Sequence, residues 1–492
     1  MVGRLIPGIR GAAGAVATFT DSTINQTVIR VAVTGLSRAG KTVFITSLIN
    51  NLIALGRGYN TLPCIQKVLA GSRGSRLRNI RVVPAGFETI AYFDYASKLA
   101  ELAGEQPAWP PRTDHLAQIA LDLEIERESP VWSKLGRRRV RLELLDYPGE
   151  WLLDLPLLSR SYGQWSSETL ALMRTPSRKA ACAPFLEFLS GVRAGDVADE
   201  SLLRHGHELY VAALHECRAK LGLRYLQPGR FLCPGPNGQA PYLWFFPLDE
   251  ISGNLRTNTV AALLCNRFDA YKAQIRSDFF DSYFSAFNRQ IILVDVLSAL
   301  HAGRTAFEDT SRAIADIAKC MVYADERSSG LIQMAGNAAI RASKAALRSG
   351  TERRIERVVF AATKSDHVPT LSRQNLANLL RAMVQRAGGD RLFNGRLGGV
   401  HTVSGVYSTC DAVVEIDSRP VAVVRGQLCG EQRQRDFHPG DVPSGWPPEE
   451  FWGHPFFELP CFNPPHIDSS KELGIPHLGV DEVIADLLKD VL

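Results

Sequence analysis

The chain has 492 residues, of which 45% are apolar and 22% charged, so it is long enough for two or three domains, or for one domain with large insertions, with an ample core. The net charge of +5 is mild, and no nucleic-acid partner is expected. Because no run of about 18 apolar residues occurs, no membrane-spanning helix is expected, and the cytoplasm is the default location. The nine cysteines are scattered without a Cys-x-x-Cys pair, which favours free buried thiols in a reducing compartment over a zinc site or a disulfide framework.

A strand, a glycine-rich loop and a helix are predicted near the N-terminus. Residues 1–27 are expected to form a flexible N-terminal arm. The apolar run 28–33 predicts a buried strand, and apolar residues then recur at helical spacing from Phe44 to Ile53. Between them, residues 35–42 have the sequence Gly-Leu-Ser-Arg-Ala-Gly-Lys-Thr, which is the pattern of a phosphate-binding loop in its usual setting.

Each part of this loop has a chemical reason to be there. Backbone N–H groups of the loop and of the helix start carry partial positive charge and can cradle a polyphosphate. Lys41 would bring a point charge to the terminal phosphates, and the hydroxyl of Thr42 would bind Mg²⁺, which prefers oxygen ligands. The alternative is a glycine-rich turn with a solvated lysine. The expected nucleotide-binding residues of the loop are Ser37, Arg38, Ala39, Gly40, Lys41, Thr42 and Val43.

The segment that follows is expected to be rich in loops from 56 to 112. The basic run 72–81 predicts a solvated basic surface or, alternatively, a contact with an anion or a lipid headgroup. Residues 116–127 and 137–146 alternate apolar and polar side chains and are separated by Pro130 and Gly136, so they predict an antiparallel strand pair.

The rest of the chain predicts more strands and helices in alternation. Helical patterns dominate from 155 to 285, with an interruption rich in Pro and Gly at 228–247. Buried strands are predicted at 290–295, 357–362 and 399–404, and short β runs at 412–416 and 421–424. Helices are predicted over 305–348, the later one with Arg341, Lys344 and Arg348 on its polar face. Asp481 is expected to cap a final helix at 482–488. Strands that alternate with helices favour an α/β fold, a mainly parallel sheet with helices on both faces.

Two further motifs follow predicted strands. Asp146-Tyr147-Pro148-Gly149 comes after the strand that ends at Leu145. Asp146 there could hold Mg²⁺ through water, and Gly149 could present its N–H to a γ-phosphate. The alternative is a turn with an aspartate cap. Glu150 occupies the position where a water-orienting glutamine often lies, and a carboxylate there predicts slow hydrolysis.

Thr363-Lys364-Ser365-Asp366 follows the strand that ends at Ala362 and has the T/N-K-x-D pattern of guanine-binding NTPases. The carboxylate of Asp366 would accept from N1–H and the 2-amino group of guanine, and the stem of Lys364 would lie along the base. His367 could contact the base edge or face solvent. A polar turn is the alternative for the motif. Ser404 and Val406, after the next strand, lie where a fifth loop would present backbone N–H to guanine O6.

Residues ahead of the Asp146 strand complete the candidate site. Thr113 lies where the threonine of small GTPases closes on Mg²⁺ and the γ-phosphate. Arg112 could stabilise transition-state charge from within the chain, or be a surface arginine. Trp109 could lie over the nucleotide, or pack against the neighbouring prolines. The expected catalytic residues are Lys41, Arg112, Thr113 and Glu150, and the expected metal ligands are Thr42, Thr113 and Asp146.

The stretches 33–44, 146–152 and 109–113 resemble the YcjX-like family of bacterial P-loop proteins, and the likeness extends from about residue 28 to the C-terminus. The resemblance implies a cytoplasmic protein with a Ras-like GTPase core and a helical insertion, which binds GTP/GDP and Mg²⁺ and is associated with envelope stress. The expected organisation is a first part of the GTPase core with the switch region at 28–154, a helical insertion at 155–286, a second part of the core at 287–409, a β- and loop-rich insertion at 410–470, and a C-terminal core helix at 471–492.

Two classes of function remain open at this point. One is a Mg²⁺-dependent GTPase that switches conformation. The other is a nucleotide-gated scaffold with negligible hydrolysis, which Glu150 favours. Asp366 argues against an ATPase. The aromatic segment 445–460 predicts packing against the core or, alternatively, a dock for a protein effector or for the surface of the inner membrane.

Overall fold

The structure is a computed structural model of the chain. It describes residues 26–36, 38–71, 75–111, 115–127, 137–235, 238, 240–249, 256–277, 286–334, 355–388, 396–431, 433–453, 459–468 and 473–492.

Eleven strands are found in the described residues, and eight of them form one large sheet. In chain order the strands are β1 (Gln26–Gly35), β2 (Ser75–Val83), β3 (Ala91–Tyr92), β4 (Ala117–Arg127), β5 (Arg138–Asp146), β6 (Arg289–Val294), β7 (Arg357–Ala362), β8 (Leu397–Thr402), β9 (Thr409–Ile416), β10 (Arg419–Gln427) and β11 (Gln434–Phe437). The last three form a separate antiparallel sheet in the order β11-β10-β9.

The helices of the described residues surround the large sheet and build the insertion. They are α1 (Lys41–Gly56), α2 (Pro63–Gly71), α3 (Tyr95–Ala103), α4 (Tyr162–Met173), α5 (Pro176–Lys179), α6 (Ala183–Ser190), α7 (Glu200–Leu221), α8 (Val260–Ile275), α9 (Val296–His301), α10 (Arg304–Met334), α11 (Thr370–Arg386) and α12 (Val480–Leu488). A 3₁₀ segment spans Gly149–Ser159 directly after β5.

The large sheet has the order β2-β4-β5-β1-β6-β7-β8, with β3 beside β4. Strands β5, β1, β6, β7 and β8 run parallel, and β4 is antiparallel to β2 and β5. The predicted antiparallel pair is therefore confirmed as β4 and β5. The prediction of an α/β fold with a mainly parallel sheet, a helical insertion and a β-rich C-terminal insertion is confirmed as well. Because β5, β1, β6, β7 and β8 are parallel, the loops after them all lie at one edge of the sheet.

Both faces of the sheet are covered by apolar side chains. On one face, Phe44, Leu48 and Ile484 from α1 and α12 join the strand residues in a continuous core. On the other face, α9, α10 and α11 supply the covering residues, among them Leu297 and Leu380. The near-continuous apolar runs of β1, β6 and β7 are explained by this two-sided burial.

The helical insertion has its own core. Its centre is Trp165, which is fully buried and lies against Phe245 and Phe268 with ring centroids 5.3 and 5.2 Å apart. Buried members of this cluster extend from Leu157 to Ile275, and Ala306 of α10 joins them. The predicted boundaries of the insertion remain a proposal.

Two local predictions were wrong. The segment 56–112 is not loop-rich, because it contains α2, β2 and α3. Asp481 does not cap the last helix, because Gly479 holds the cap position with φ 68° and Asp481 lies inside the first turn. The Oδ2 atom of Asp481 instead accepts the backbone N–H of Cys64 at 3.3 Å, at the start of α2. In the part of the chain that is described, no helix has both the length and the apolar character needed to cross a membrane.

Candidate functional site

The phosphate-binding loop connects β1 to α1 at the carboxyl edge of the sheet. Gly40 has φ 74°, a left-handed conformation that favours glycine. A Cβ on Gly35 would lie 2.6 Å from the carbonyl oxygen of Leu293, so the loop lies too close to β6 for a larger residue. The Nζ atom of Lys41 donates to the carbonyl of Gly35 at 3.0 Å, which folds the lysine back over the loop.

The Asp146 motif lies against this loop. Asp146 ends β5 directly opposite Val33 of β1, and it is buried. A Cβ on Gly149 would overlap the carbonyl of Gly35 and lie 2.9 Å from the N atom of Leu36. The backbone of this motif is therefore in direct contact with the phosphate-binding loop.

The donor atoms at this point suit Mg²⁺. Thr42, at the start of α1, and Asp146, at the end of β5, are both buried and carry oxygen atoms that can bind a metal ion. Oxygen is the ligand type that Mg²⁺ requires, and the helix start next to it favours phosphate. The residues present therefore fit a Mg²⁺–phosphate group.

The guanine motif follows β7 on the same edge. Lys364 has φ 58°, and its Nζ atom lies 2.7 Å from Oδ2 of Asp295, which caps α9 after β6. Burial opposes ionisation of Asp295, but Lys364 and the Ser298 hydrogen bonds outweigh it and hold the pKa of Asp295 below its usual value. This ion pair connects the loops after β6 and β7.

Asp366 is 1% exposed, and the loop after β8 surrounds its carboxylate. Ser404 donates its hydroxyl to Oδ1. Ser408 donates to Oδ2 through its backbone N–H at 2.9 Å and through its hydroxyl at 2.6 Å. Sequence reasoning placed Ser404 in this loop, whereas the contribution of Ser408 was missed because a serine carries no distinctive signal.

The guanine motif and the phosphate-binding loop are connected through Gly405. A Cβ on Gly405 would lie 3.0 Å from the N and Cα atoms of Phe44, in the first turn of α1. Its neighbour Ser404 binds Asp366. Two contacts of adjacent residues therefore join the loop after β8 to α1 and to the carboxylate of Asp366, and the predicted nucleotide residues of both motifs lie around one edge.

A small apolar cluster borders the same loop. Trp109 and Val43 pack against a buried cluster that contains Val406, and the Trp109 indole N–H donates to the carbonyl of Phe462 at 2.7 Å. The ring of Phe462 meets His367 edge-on, with centroids 5.0 Å apart. Burial lowers the pKa of His367, so it is neutral near pH 7. His367 is half-buried against the ring of Phe462.

Glu150 is buried, and its backbone lies against the helical insertion. A Cβ on Gly229 would lie 2.5 Å from the carbonyl carbon of Glu150. Four residues further on, Asp154 accepts the backbone N–H groups of Gly229 at 2.6 Å and Arg230 at 3.1 Å, together with the hydroxyl of Tyr271 at 2.9 Å. The segment after Gly149 is therefore bound directly to the insertion.

Trp151 adds a second attachment. Its indole N–H donates to the carbonyl of Cys233 at 2.8 Å, and the guanidinium of Arg230 lies 4.7 Å above its ring. Both partners come from the interruption in the helical pattern at 228–247. This interruption therefore contacts the Gly149–Ser159 segment, as does Tyr271 of α8.

Arg224 is a candidate that sequence reasoning missed. It belongs to the insertion, yet its charged neighbours include Glu150, Arg38 and Asp295, all at the carboxyl edge of the sheet. Burial lowers the pKa of Arg224, and the carboxylates act in the opposite direction. No motif surrounds Arg224 in the sequence, so only the fold reveals it.

The described residues bring together most of the predicted site. Ser37, Arg112 and Thr113 lie outside the described residues, and so do Arg341, Lys344 and Arg348. The residues that the carboxyl edge or its bordering cluster holds are Arg38, Ala39, Gly40, Lys41, Thr42, Val43, Trp109, Asp146, Gly149, Glu150, Lys364, Asp366, His367, Ser404 and Val406.

Comparison with known proteins supports the resemblance noted from the motifs. The model of the YcjX-like family, DUF463, matches residues 29–492. The Ras-like GTPase YcjX of Escherichia coli (strain K12) is 31% identical over 472 residues, which cover 94% of this chain and 96% of that protein. The Ras-like GTPase YcjX of Shewanella oneidensis is 31% identical over 482 residues, 94% of each chain. The fold described above is consistent with a Ras-like P-loop GTPase core, and the chain belongs to the YcjX-like family.

Proposed function

We propose that this chain binds GTP and GDP with Mg²⁺, hydrolyses GTP slowly to GDP and phosphate, and changes conformation between the two states. The observation that carries the proposal is the contact of Gly405 with the first turn of α1, while Ser404 beside it binds Asp366. Two adjacent residues thus hold both the helix that follows the phosphate-binding loop and the carboxylate of Asp366. The names of the two relatives support the same activity.

The phosphate end would act mainly by positioning and by charge stabilisation. Lys41 would turn from the Gly35 carbonyl to the phosphates, and Thr42 and Asp146 would hold Mg²⁺, which neutralises charge on the β- and γ-phosphates when bound. Thr113 would close on the ion and the γ-phosphate. Glu150 would lie near the attacking water, where a carboxylate orients water less well than an amide that can also donate.

An arginine from within the chain would stabilise the transition state. Arg112 is one candidate from the sequence. Arg224 is the second, because the insertion brings it to Glu150 and Arg38. An arginine supplied in cis raises hydrolysis by about 10³-fold or more in GTPases that use one.

The conformational change would involve the insertion. Gly149 contacts the phosphate-binding loop, and Glu150 and Asp154, in the same segment, contact Gly229. A γ-phosphate that pulls on the N–H of Gly149 would therefore move groups bonded to the insertion.

The remaining proposals concern the location of the protein and its partners. We propose a cytoplasmic protein in the envelope stress response, in peripheral contact with a protein effector or the inner membrane. Trp446 and Trp452 lie 5.1 and 5.6 Å from the ring of Phe307, so the described part of the aromatic segment packs on the core. The helical insertion is the better candidate for an effector surface.

A nucleotide panel with the variant Asp366→Asn tests the proposal. The wild type should bind GDP and GTP but not ADP or ATP, and the variant should lose GDP and gain XDP, because the amide donates where the carboxylate accepted. Unchanged GDP affinity in the variant would refute the role of Asp366. Single-turnover phosphate release from the wild type, Arg112→Ala and Arg224→Ala then separates a GTPase from a scaffold, since a scaffold releases no phosphate in any of the three.

A further inference from the structure

The cysteines are distributed differently from the expectation of buried thiols. Cys410, Cys429 and Cys461 are exposed, so the expectation is wrong for these three. Two thiol pairs occur in the described residues. Cys182 and Cys217 form a buried pair in the helical insertion, with Sγ atoms 3.7 Å apart. Cys429 and Cys461 form an exposed pair in the C-terminal insertion, with Sγ atoms in contact at 2.7 Å.

The backbone places Cys429 and Cys461 opposite each other. Leu428 pairs with Phe462 in an antiparallel bridge. On one side of this bridge the N–H of Cys429 donates to the carbonyl of Cys461 at 2.7 Å, and on the other the N–H of Asn463 donates to Gln427 at 2.7 Å. Directly opposed residues of an antiparallel pair have Cα atoms about 4.5–5.5 Å apart, which is within the range that a disulfide spans.

We propose that Cys429 and Cys461 form a reversible redox site that a low-molecular-weight disulfide oxidises. The thiolate of one cysteine attacks the small disulfide, which forms a mixed disulfide and releases one small thiol. The second cysteine then loses its proton and attacks the mixed disulfide, so that the Cys429–Cys461 bond forms and a second small thiol leaves. The two protein thiols are oxidised, and the small disulfide is reduced to two thiols.

The site is connected to the guanine end of the pocket through Phe462. Phe462 follows Cys461, accepts the indole N–H of Trp109 through its carbonyl and packs its ring on His367, next to Asp366. A bond between Cys429 and Cys461 would fix this wall of the pocket. The consequence, which rests on the proposed function, is slower release of GDP, by about fivefold or more.

The test uses the reduced full-length protein and oxidised glutathione. After incubation, free thiols are alkylated and peptides are mapped by mass. We expect a peptide pair linked by Cys429 and Cys461, while Cys182 and Cys217 remain unlinked because they are buried. The matched control Cys410→Ser, another exposed cysteine, should keep the link, and Cys461→Ser should abolish it. If Cys429 and Cys461 are still fully alkylated in a sample in which glutathione has modified Cys410, the proposal of a redox site at Cys429 and Cys461 is refuted.

A second measurement tests the connection to the pocket. GDP dissociation should slow about fivefold on oxidation of the wild type and of Cys410→Ser, and should not change in the Cys429→Ser/Cys461→Ser double variant. If the protein with the Cys429–Cys461 disulfide releases GDP as fast as the reduced protein does, the proposed effect on the pocket is refuted. Because linkage is read by mass alone, it decides on the redox site even if the chain binds no guanine nucleotide.

Discussion

Gly229 offers a way to separate the helical insertion from the segment after Gly149 without changing a nucleotide-binding residue. The substitution Gly229→Ala adds one methyl group, which would overlap the carbonyl of Glu150 and lie 2.5 Å from its carbonyl carbon. The backbone at Gly229 is not in the left-handed region, so alanine is acceptable there except for this collision.

The cost of the methyl group follows from what holds the two backbones together. Non-bonded carbon atoms prefer about 3.5–4.0 Å, so the backbones must separate by about 1 Å. Such overpacking costs about 1–3 kcal/mol. The separation also strains the bond from the N–H of Gly229 to the buried carboxylate of Asp154, which is worth about 1.5–3 kcal/mol. We expect a total loss of about 4 kcal/mol, less if the two terms overlap.

The expected effect on hydrolysis is larger than the effect on binding. A shift of about 1 Å at Glu150 should lower the single-turnover rate of GTP hydrolysis by about ten- to hundredfold, while GDP affinity stays close to that of the wild type. Urea unfolding, nucleotide titration and phosphate release measure the three quantities. Gly163→Ala is the matched control, because a Cβ there has no neighbour within 4 Å. If Gly229→Ala matches this control in unfolding and in hydrolysis, the reasoning about the contact fails.

Three further changes test the site and its surroundings. Lys41→Ala should fold normally, since the bond that its Nζ makes among the described residues is to the Gly35 carbonyl, but GTP should no longer raise its melting temperature; protection by GTP would contradict the role of Lys41. Burial raises the pKa of Asp154 to about 6 from 3.8, so the folded protein keeps a proton that the unfolded chain releases, and stability falls by up to about 3 kcal/mol as the pH rises from 4 to 6. The free energy of unfolding of Asp154→Asn, measured in urea, should not fall in this way. If its pH profile is identical to that of the wild type, the role given to Asp154 is wrong. Ser408→Ala removes one of three donors to Asp366 and should raise GDP affinity about fivefold in a titration, whereas weaker binding would show that Ser408 instead orients the carboxylate.

The sequence predicts the parts of the fold that rest on local patterns. The strands that contain Val31, Ile291 and Phe360 are buried on both faces, and such strands appear as apolar runs. The motifs that follow these strands could then be predicted to lie at one edge of the sheet, because the carboxyl ends of parallel strands lie at the same edge. This reasoning does not extend to β2, where Arg76, Arg78 and Arg81 hide the alternation.

Contacts between distant segments could not be predicted from the sequence. The arginines of β2 are accommodated because Glu126 and Glu124 of β4 pair with them. Arg224 and Gly229 have the same character: each has an ordinary local sequence, and only the folding of the insertion brings it to Glu150 and Asp154. The N-cap at Gly479 was not predicted, because Asp481, two residues later, is of a residue type that is preferred over glycine at the N-cap.

The two insertions meet the candidate nucleotide site at opposite ends. The helical insertion reaches the phosphate end, where Gly229 lies on Glu150 and the charges of Glu150 and Arg38 act on the pKa of Arg224. The β-rich insertion reaches the guanine end, where Phe462 packs on His367 and Ser408, just before β9, binds Asp366. A change at either insertion can therefore act on one half of the nucleotide independently. Hydrolysis and nucleotide release, which depend on different ends, should respond to different perturbations: Gly229→Ala to the first, and oxidation of Cys429 and Cys461 to the second.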